Sequence, residues 1–154
     1  MARIKVGEPA PDFDLRGTGD RTFRLADYRG RWLVLAFYPG DFTPVCTRQF
    51  CSYRDRSDDM SALDAVVVGI SHQDLDSHEA FTQHHGLTVP LLADVDHEVA
   101  RAYGVSARII GTRRAAFVID EEGIVRHRHV HALGLDFQDV DDLAAALDAL
   151  PARA

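Results

Sequence analysis

Two short apolar runs, each closed by a turn signal and separated by a helical pattern, limit the folds open to this chain. "WLVLAFY" (32–38) ends at Pro39-Gly40, and "AVVVGIS" (65–71) gives way to polar residues. Continuous apolar runs of this length suit strands buried on both faces, as in a parallel sheet covered by helices. Between them, Thr43 stands at an N-cap position and Pro44 at the first helical position. A polar-apolar pattern then continues to about residue 63. Further on, "DSHEAFTQHHG" (76–86) predicts a helix ending at Gly86, "VPLLAD" (89–94) a short strand and "HEVARAYG" (97–104) a short helix stopped by Gly104. "AAFVIDEEGIVRHRHVH" (115–131) predicts a hairpin turning near Glu122-Gly123. "FQDVDDLAAALDAL" (137–150) predicts a closing helix with Phe137, Val140, Leu143, Leu147 and Leu150 on one face. Residues 7–30, punctuated by Pro9, Pro11, Gly17, Gly19 and Gly30, read as short strands and turns that extend the sheet at its N-terminal side. The expected architecture is a three-layer α/β fold with a central mixed sheet, parallel early and antiparallel late.

The length of 154 residues suits one domain, 1–154, around one core. A net charge of −7 argues against a nucleic-acid partner, which needs clustered Lys and Arg, and against anionic membranes. The N-terminal stretch has no apolar signal-type core, and no run approaches the roughly 18 apolar residues of a membrane span. A cytoplasmic location is therefore expected, where a structural disulfide is rare and a cysteine pair is more often catalytic or metal-binding.

Both cysteines fall at one strand-to-helix turn, in "YPGDFTPVCTRQFC" (38–51). With Thr43 as N-cap, Cys46 is the third helical residue. Backbone N–H groups there lack intrahelical partners, and with the macrodipole they favour an anion, here a thiolate. A free thiol is a few per cent ionised at pH 7, so full ionisation gains at most roughly thirty-fold in rate, about 2 kcal/mol of barrier. An enzyme built on this thiol must also stabilise attack by sulfur with fixed donors. The Thr43 hydroxyl, one turn before Cys46, is a candidate, and Pro39 and Pro44 stiffen the loop. Cys51 cannot simply touch Cys46. Five residues along an ideal helix separate Cα atoms by about 8.6 Å and some 140° of rotation, whereas a disulfide needs about 7 Å or less. The spacing suits thiols that are apart when reduced and joined only after local unwinding. The plain alternative is core filling, since Cys46, Phe50, Tyr53 and Met60 share one helical stripe. A structural zinc site is not expected from two thiols at C-x4-C spacing, and no cofactor is implied.

Pro39-x-x-x-Thr43-x-x-Cys46 resembles the signature of the peroxiredoxins. The longer "YPGDFTPVCTRQFC" resembles their Q-type branch (bacterioferritin comigratory protein), with Tyr38, Asp41, Thr47 and Cys51 in register. "GEPAPDFDL", "VVVGISHQDLDSHEAF", "VPLLAD", "VARAYGV" and "RAAFVID" are similar to further landmarks of the family, collinear over about residues 4 to 131. The resemblance implies a thioredoxin-like fold and a thiol peroxidase acting on hydrogen peroxide and organic hydroperoxides. By position, Cys46 is the peroxidatic nucleophile that becomes a sulfenic acid. Thr43 contacts thiolate and peroxide, Pro39 shields the thiolate, and Arg114 is the active-site arginine. Cys51 matches the resolving cysteine, which would form an intrachain disulfide for reduction by thioredoxin or another dithiol. Val45 stands where that branch commonly has glycine, and "DFTPVC" also resembles the one-cysteine AhpE-type peroxiredoxins, in which Cys51 would be a bystander. A monomer or a homodimer fits the family.

Adjacent Arg113 competes with Arg114. Successive strand residues face opposite ways, so one of the two at most reaches the site, and register with "FVID" favours Arg114. Gln49 is weighed evenly between support of the site and surface packing. His127, His129 and His131 alternate along a strand, but with no carboxylate or thiol nearby in sequence they read as a solvated face. His84 and His85 read as exposed residues at a helix end, and Asp120, Glu121 and Glu122 as a solvated acidic turn. A thioredoxin-like disulfide reductase is disfavoured, because C-x-x-C is absent and no proline lies between Pro90 and Pro151. A non-enzymatic redox sensor using the same pair stays open, distinguished by reacting with peroxide about once per molecule.

Overall fold

Strand β3 (Leu33–Phe37) lies near the middle of a seven-stranded sheet, and its neighbours explain its unbroken apolar character. The computed structural model describes residues 4–107, 111–131 and 137–150. In chain order, β1 (Asp14–Gly17), β2 (Arg21–Arg24) and a 3-10 turn (Leu25–Tyr28) precede β3. There follow α1 (Pro44–Asp55), α2 (Ser57–Ala62), β4 (Val66–Ser71), α3 (Leu75–His85), β5 (Leu91–Ala93) and α4 (Glu98–Ala102). A small two-stranded pair, β6 (Ser106–Ala107) and β7 (Gly111–Thr112), leads to the hairpin β8 (Ala115–Ile119) and β9 (Val125–Val130), and α5 (Val140–Asp148) is the last element among the described residues. The main sheet runs β2-β1-β5-β4-β3-β8-β9. β3–β4 and β4–β5 are parallel, whereas β8, β9 and the N-terminal β1–β2 pair are antiparallel. The sheet is mixed, with its parallel part early in the chain.

The period of two along β3 sorts the core into two halves. Leu33, Leu35 and Phe37 pack with Ile70, Phe117, Val99 and Tyr103 on the face covered by α4 and the N-terminal segment. Val34 packs on the other face with Ala116, Val118, Phe50, Tyr53, Phe81, Leu143 and Leu147, under α1, α3 and α5. Fully burying each large side chain of these clusters stabilises the fold by roughly 1.5–3 kcal/mol. Gly69 on β4 is required by this packing. A Cβ there would lie 2.8 Å from Leu91 Cδ2 and 2.9 Å from Phe50 Cζ, so the bare backbone lets α1 sit close to the sheet.

Three expectations change. The helix expected from 44 to about 63 breaks at Arg56 (φ −110°, ψ 41°) into α1 and α2. Ser57, Asp58 and Asp59 belong to a helix start rather than an interior, and Arg56 itself is held by Asp59 and by Asp141 of α5. The closing helix starts at Val140, not 137, because Asp139 and Asp142 form a reciprocal capping box. The acidic turn is not uniformly solvated. Asp120 is buried, accepting the Glu122 and Ile124 amides at 2.9 Å and the Arg126 guanidinium at 2.7 Å, while Glu121 and Glu122 are exposed. Burial alone would raise the Asp120 carboxyl, yet these donors hold it below the ordinary carboxylate range.

Candidate active site

The segment linking β3 to α1 carries most of the candidate residues. Its chain turns sharply: Phe42 adopts φ +62°, a left-handed conformation that an aromatic residue takes only under constraint. Gly40 is buried against Gln73, whose side-chain oxygen would lie 3.1 Å from an added Cβ. Thr43 occupies the N-cap position, but its hydroxyl does not cap the helix. It donates instead to the Gly40 carbonyl at 3.0 Å and bridges the turn. Pro44 opens α1, which places Cys46 at the third helical position in the first turn.

α1 buries Cys46, Gln49, Phe50 and Tyr53, an i, i+3, i+4, i+7 face aimed at the sheet. Arg114 immediately precedes β8 and shares parity with Ala116 and Val118, which line the same face as α1. Its guanidinium therefore enters the layer between sheet and helix. Arg114 Nη2 donates to Cys46 Sγ at 2.9 Å, and Nη1 donates to Gln49 Oε1. Arg113, of opposite parity, spends its amide on the Val105 carbonyl at 2.7 Å. Cys46 is 0% exposed and Arg114 2% exposed. The thiol is thus both a member of the core cluster and the partner of a buried cation.

Gln49, evenly weighed from sequence, belongs to the site. An arginine only donates, so Gln49 turns its oxygen to Arg114, and its amide nitrogen donates to Tyr53 Oη at 3.1 Å. The Tyr53 hydroxyl in turn donates to the Gln138 carbonyl just before α5. Burial pushes the Tyr53 phenol well up, so it stays a neutral donor. The chain Tyr53–Gln49–Arg114–Cys46 ties α1 and the approach to α5 around the sulfur. Tyr53 had been legible only as part of a stripe.

Cys51 lies further along the same unbroken helix, half-buried, and both cysteines are free thiols. Pro39 is half-buried between β3 and the turn. The histidines separate from this site. His129 is exposed while His127 and His131 are half-buried, so the solvated face expected there is only partly so. Burial and the neighbouring His129 lower the His127 imidazole below its ordinary value. Among the described residues, no cluster of three or more His, Cys, Asp or Glu side chains is arranged to hold a metal ion. His84 is exposed as expected, but His85 is half-buried, and the rings of both lie within 6.2 Å of Phe42.

The AhpC/TSA family model matches residues 6–128. The chain belongs to the AhpC/TSA family. Peroxiredoxin Bcp of Bacillus subtilis is 39% identical over 127 residues, covering 78% of this chain and 81% of that protein. Among solved structures, peroxidoxin BcpB of Mycobacterium tuberculosis superposes with a TM-score of 0.84 at 30% identity, covering 96% of this chain and 98% of its own. The bacterioferritin comigratory protein of Xanthomonas campestris superposes with a TM-score of 0.83 at 26% identity, covering 94% and 98%. The protein is a peroxiredoxin with the thioredoxin-like fold of that family, a thiol-dependent peroxidase whose substrates are a peroxide and a thiol reductant. No helix of the described residues is long and apolar enough to cross a membrane.

Proposed function

We propose that Cys46 is the peroxidatic nucleophile of a two-cysteine peroxidase cycle. The contact between Arg114 Nη2 and Cys46 Sγ at 2.9 Å carries this reading, because a permanent cation in a buried site favours negative charge on sulfur. The thiolate attacks the nearer peroxide oxygen and the O–O bond breaks. The leaving oxygen takes a proton and departs as water or an alcohol, leaving Cys46 as a sulfenic acid. The guanidinium is the donor proposed to steady the charge that shifts to the leaving oxygen, joined by the Thr43 hydroxyl once it turns away from the Gly40 carbonyl. Pro39 shields the sulfur from water. Because the Cys46 side chain is fully covered, peroxide enters only when the side chains around the turn part.

Cys51 then attacks the sulfenic sulfur, forming an intrachain disulfide and releasing water. With both cysteines in α1, this step requires the first turns of the helix to unwind. Thioredoxin or another dithiol restores both thiols by exchange. The substrates are hydrogen peroxide and organic hydroperoxides. Support for the latter is the similarity to the Xanthomonas campestris protein, whose structure concerns alkyl peroxide reduction. The reading takes the whole chain as one domain working in the cytoplasm, as a monomer or a homodimer. The intact α1 favours a second reading, in which Cys51 is a bystander and an external thiol reduces Cys46 directly.

Peptide mass spectrometry after stoichiometric hydrogen peroxide separates the two. A Cys46–Cys51 link supports the first reading, and a Cys46 sulfenic acid that persists beside a reduced Cys51 supports the second. Continuous turnover with thioredoxin and its reductase excludes a once-reacting sensor.

A further inference from the structure

A second buried polar cluster lies beneath the same loop, and the peroxidase chemistry above makes no use of it. Asp41, between Gly40 and Phe42, is 5% exposed, and Tyr38 and His78 are 0% exposed. Asp41 Oδ1 accepts the Tyr38 hydroxyl at 2.7 Å. Its Oδ2 accepts the Ser77 hydroxyl at 2.7 Å and lies 2.7 Å from His78 Nδ1. The Asp41 amide donates to Gln73 Oε1. Ser77 and His78 belong to the first turn and a half of α3, where Asp74 caps the helix through the Ser77 amide at 2.8 Å. One loop residue is therefore fastened to α3 and the segment before it by three hydrogen bonds, and to the end of β3 by a fourth, from Tyr38.

The other ring nitrogen fixes the proton count. His78 Nε2 lies 3.0 Å from the Leu92 carbonyl oxygen, which only accepts, so Nε2 carries hydrogen. Nδ1 and Asp41 Oδ2 then need a second proton between them, since two lone pairs would otherwise meet at 2.7 Å between fully buried side chains. With that proton the pair is neutral overall, whether written as imidazolium and carboxylate or as imidazole and carboxylic acid.

We propose that His78 is a positioning residue for the peroxidatic loop. The proton it shares with Asp41 clamps residues 39–43 onto α3. The clamp holds Thr43 and the start of α1 in the arrangement that reacts with peroxide, and it restrains the unwinding that brings Cys51 to Cys46. This rests on the two-cysteine reading above. It makes His78 a divider between the two chemical steps: the clamp speeds the first and slows the second.

The test compares wild type with His78→Phe, which keeps a ring and removes both N–H groups, and His78→Asn, whose amide N–H can replace Nδ1 as donor to Asp41. Formation of the Cys46 sulfenic acid is followed by trapping with dimedone, and formation of the disulfide by thiol loss, both in rapid-mixing experiments. His78→Phe should slow the first step about tenfold and hasten the second by a similar factor, the size expected for losing the buried hydrogen bond to Asp41; the second bond lost, to the Leu92 carbonyl, joins α3 to β5 and does not touch the loop. His78→Asn should move both rates back toward wild type. A fall in both rates together, no change in either, or no recovery in His78→Asn would overturn the proposal. If His78→Phe does not fold, wild-type protein with 15N-labelled histidine decides. The reduced protein should show a slowly exchanging, strongly downfield proton shared between His78 Nδ1 and Asp41 Oδ2 that is lost in the disulfide form. Its absence from the reduced protein, or its persistence in the disulfide form, would overturn the clamp. A wild type that never forms the Cys46–Cys51 link refutes the two-cysteine cycle and the release half of the proposal, while the first-step rates still test the clamp.

Discussion

Replacing Arg114 by methionine isolates the interaction on which the site turns. The substitution roughly preserves volume and removes two donors at once, Nη2 to Cys46 Sγ at 2.9 Å and Nη1 to Gln49 Oε1. A hydrogen bond to a charged group contributes about 1.5–3 kcal/mol. If the Cys46 contact persists fully into the transition state, its loss slows peroxide attack by about 10- to 150-fold. Gln49 then faces a methionine with its oxygen unpaired, which costs about 1–3 kcal/mol of stability as a separate effect. The two are distinguished by measuring the second-order rate of Cys46 oxidation under competition with a reference peroxidase, and folding by urea titration on the same preparations. Arg114→Lys keeps the charge but has no planar fork to bridge sulfur and amide together, so its rate should fall between the two. A folded Arg114→Met protein that oxidises within twofold of the wild-type rate would refute the reasoning.

Three further outcomes follow from other parts of the molecule. Cys51→Ser should consume one equivalent of peroxide and lose thioredoxin-linked recycling; retained recycling points to the one-cysteine mechanism. Gly69→Ala forces a methyl group against Leu91 and Phe50 and should cost about 1–3 kcal/mol in urea-derived stability, as overpacking does. Asp120 has a carboxyl held below its unfolded value, so its contribution is present above about pH 4 and is lost as pH falls through the folded value. The stability gap between wild type and Asp120→Asn, read from urea midpoints, should accordingly be full at pH 7 and shrink by pH 3.

The sheet was legible because its strands bury both faces, so 32–38 and 65–71 stand out as apolar runs whatever surrounds them. The start of α1 was legible because Thr43 and Pro44 act locally. The break at Arg56 was hidden, since the polarity pattern runs straight through it and the residue that holds Arg56 from outside, Asp141, is 85 positions away. Asp120 misled because an acidic turn looks solvated, whereas turn amides collect around a carboxylate that folds inward. The Cys46–Arg114 contact spans 68 residues, and strand parity together with the resemblance pointed, of two adjacent arginines, to the one that makes it. Gln49 and Tyr53 shared the Cys46 stripe, but spacing cannot say that their polar ends join into a chain. The Asp41–His78 pairing, 37 residues apart, had no sequence signal, since each is a polar residue among largely exposed or half-buried neighbours.

The most direct measurement identifies the atom that peroxide oxidises. Cys51→Ser protein is treated with one equivalent of hydrogen peroxide in the presence of dimedone, and its peptides are sequenced by mass spectrometry. The account predicts near-stoichiometric adduct on Cys46, and none when Cys46→Ser is added. An unmodified Cys46, with peroxide still consumed, would contradict it.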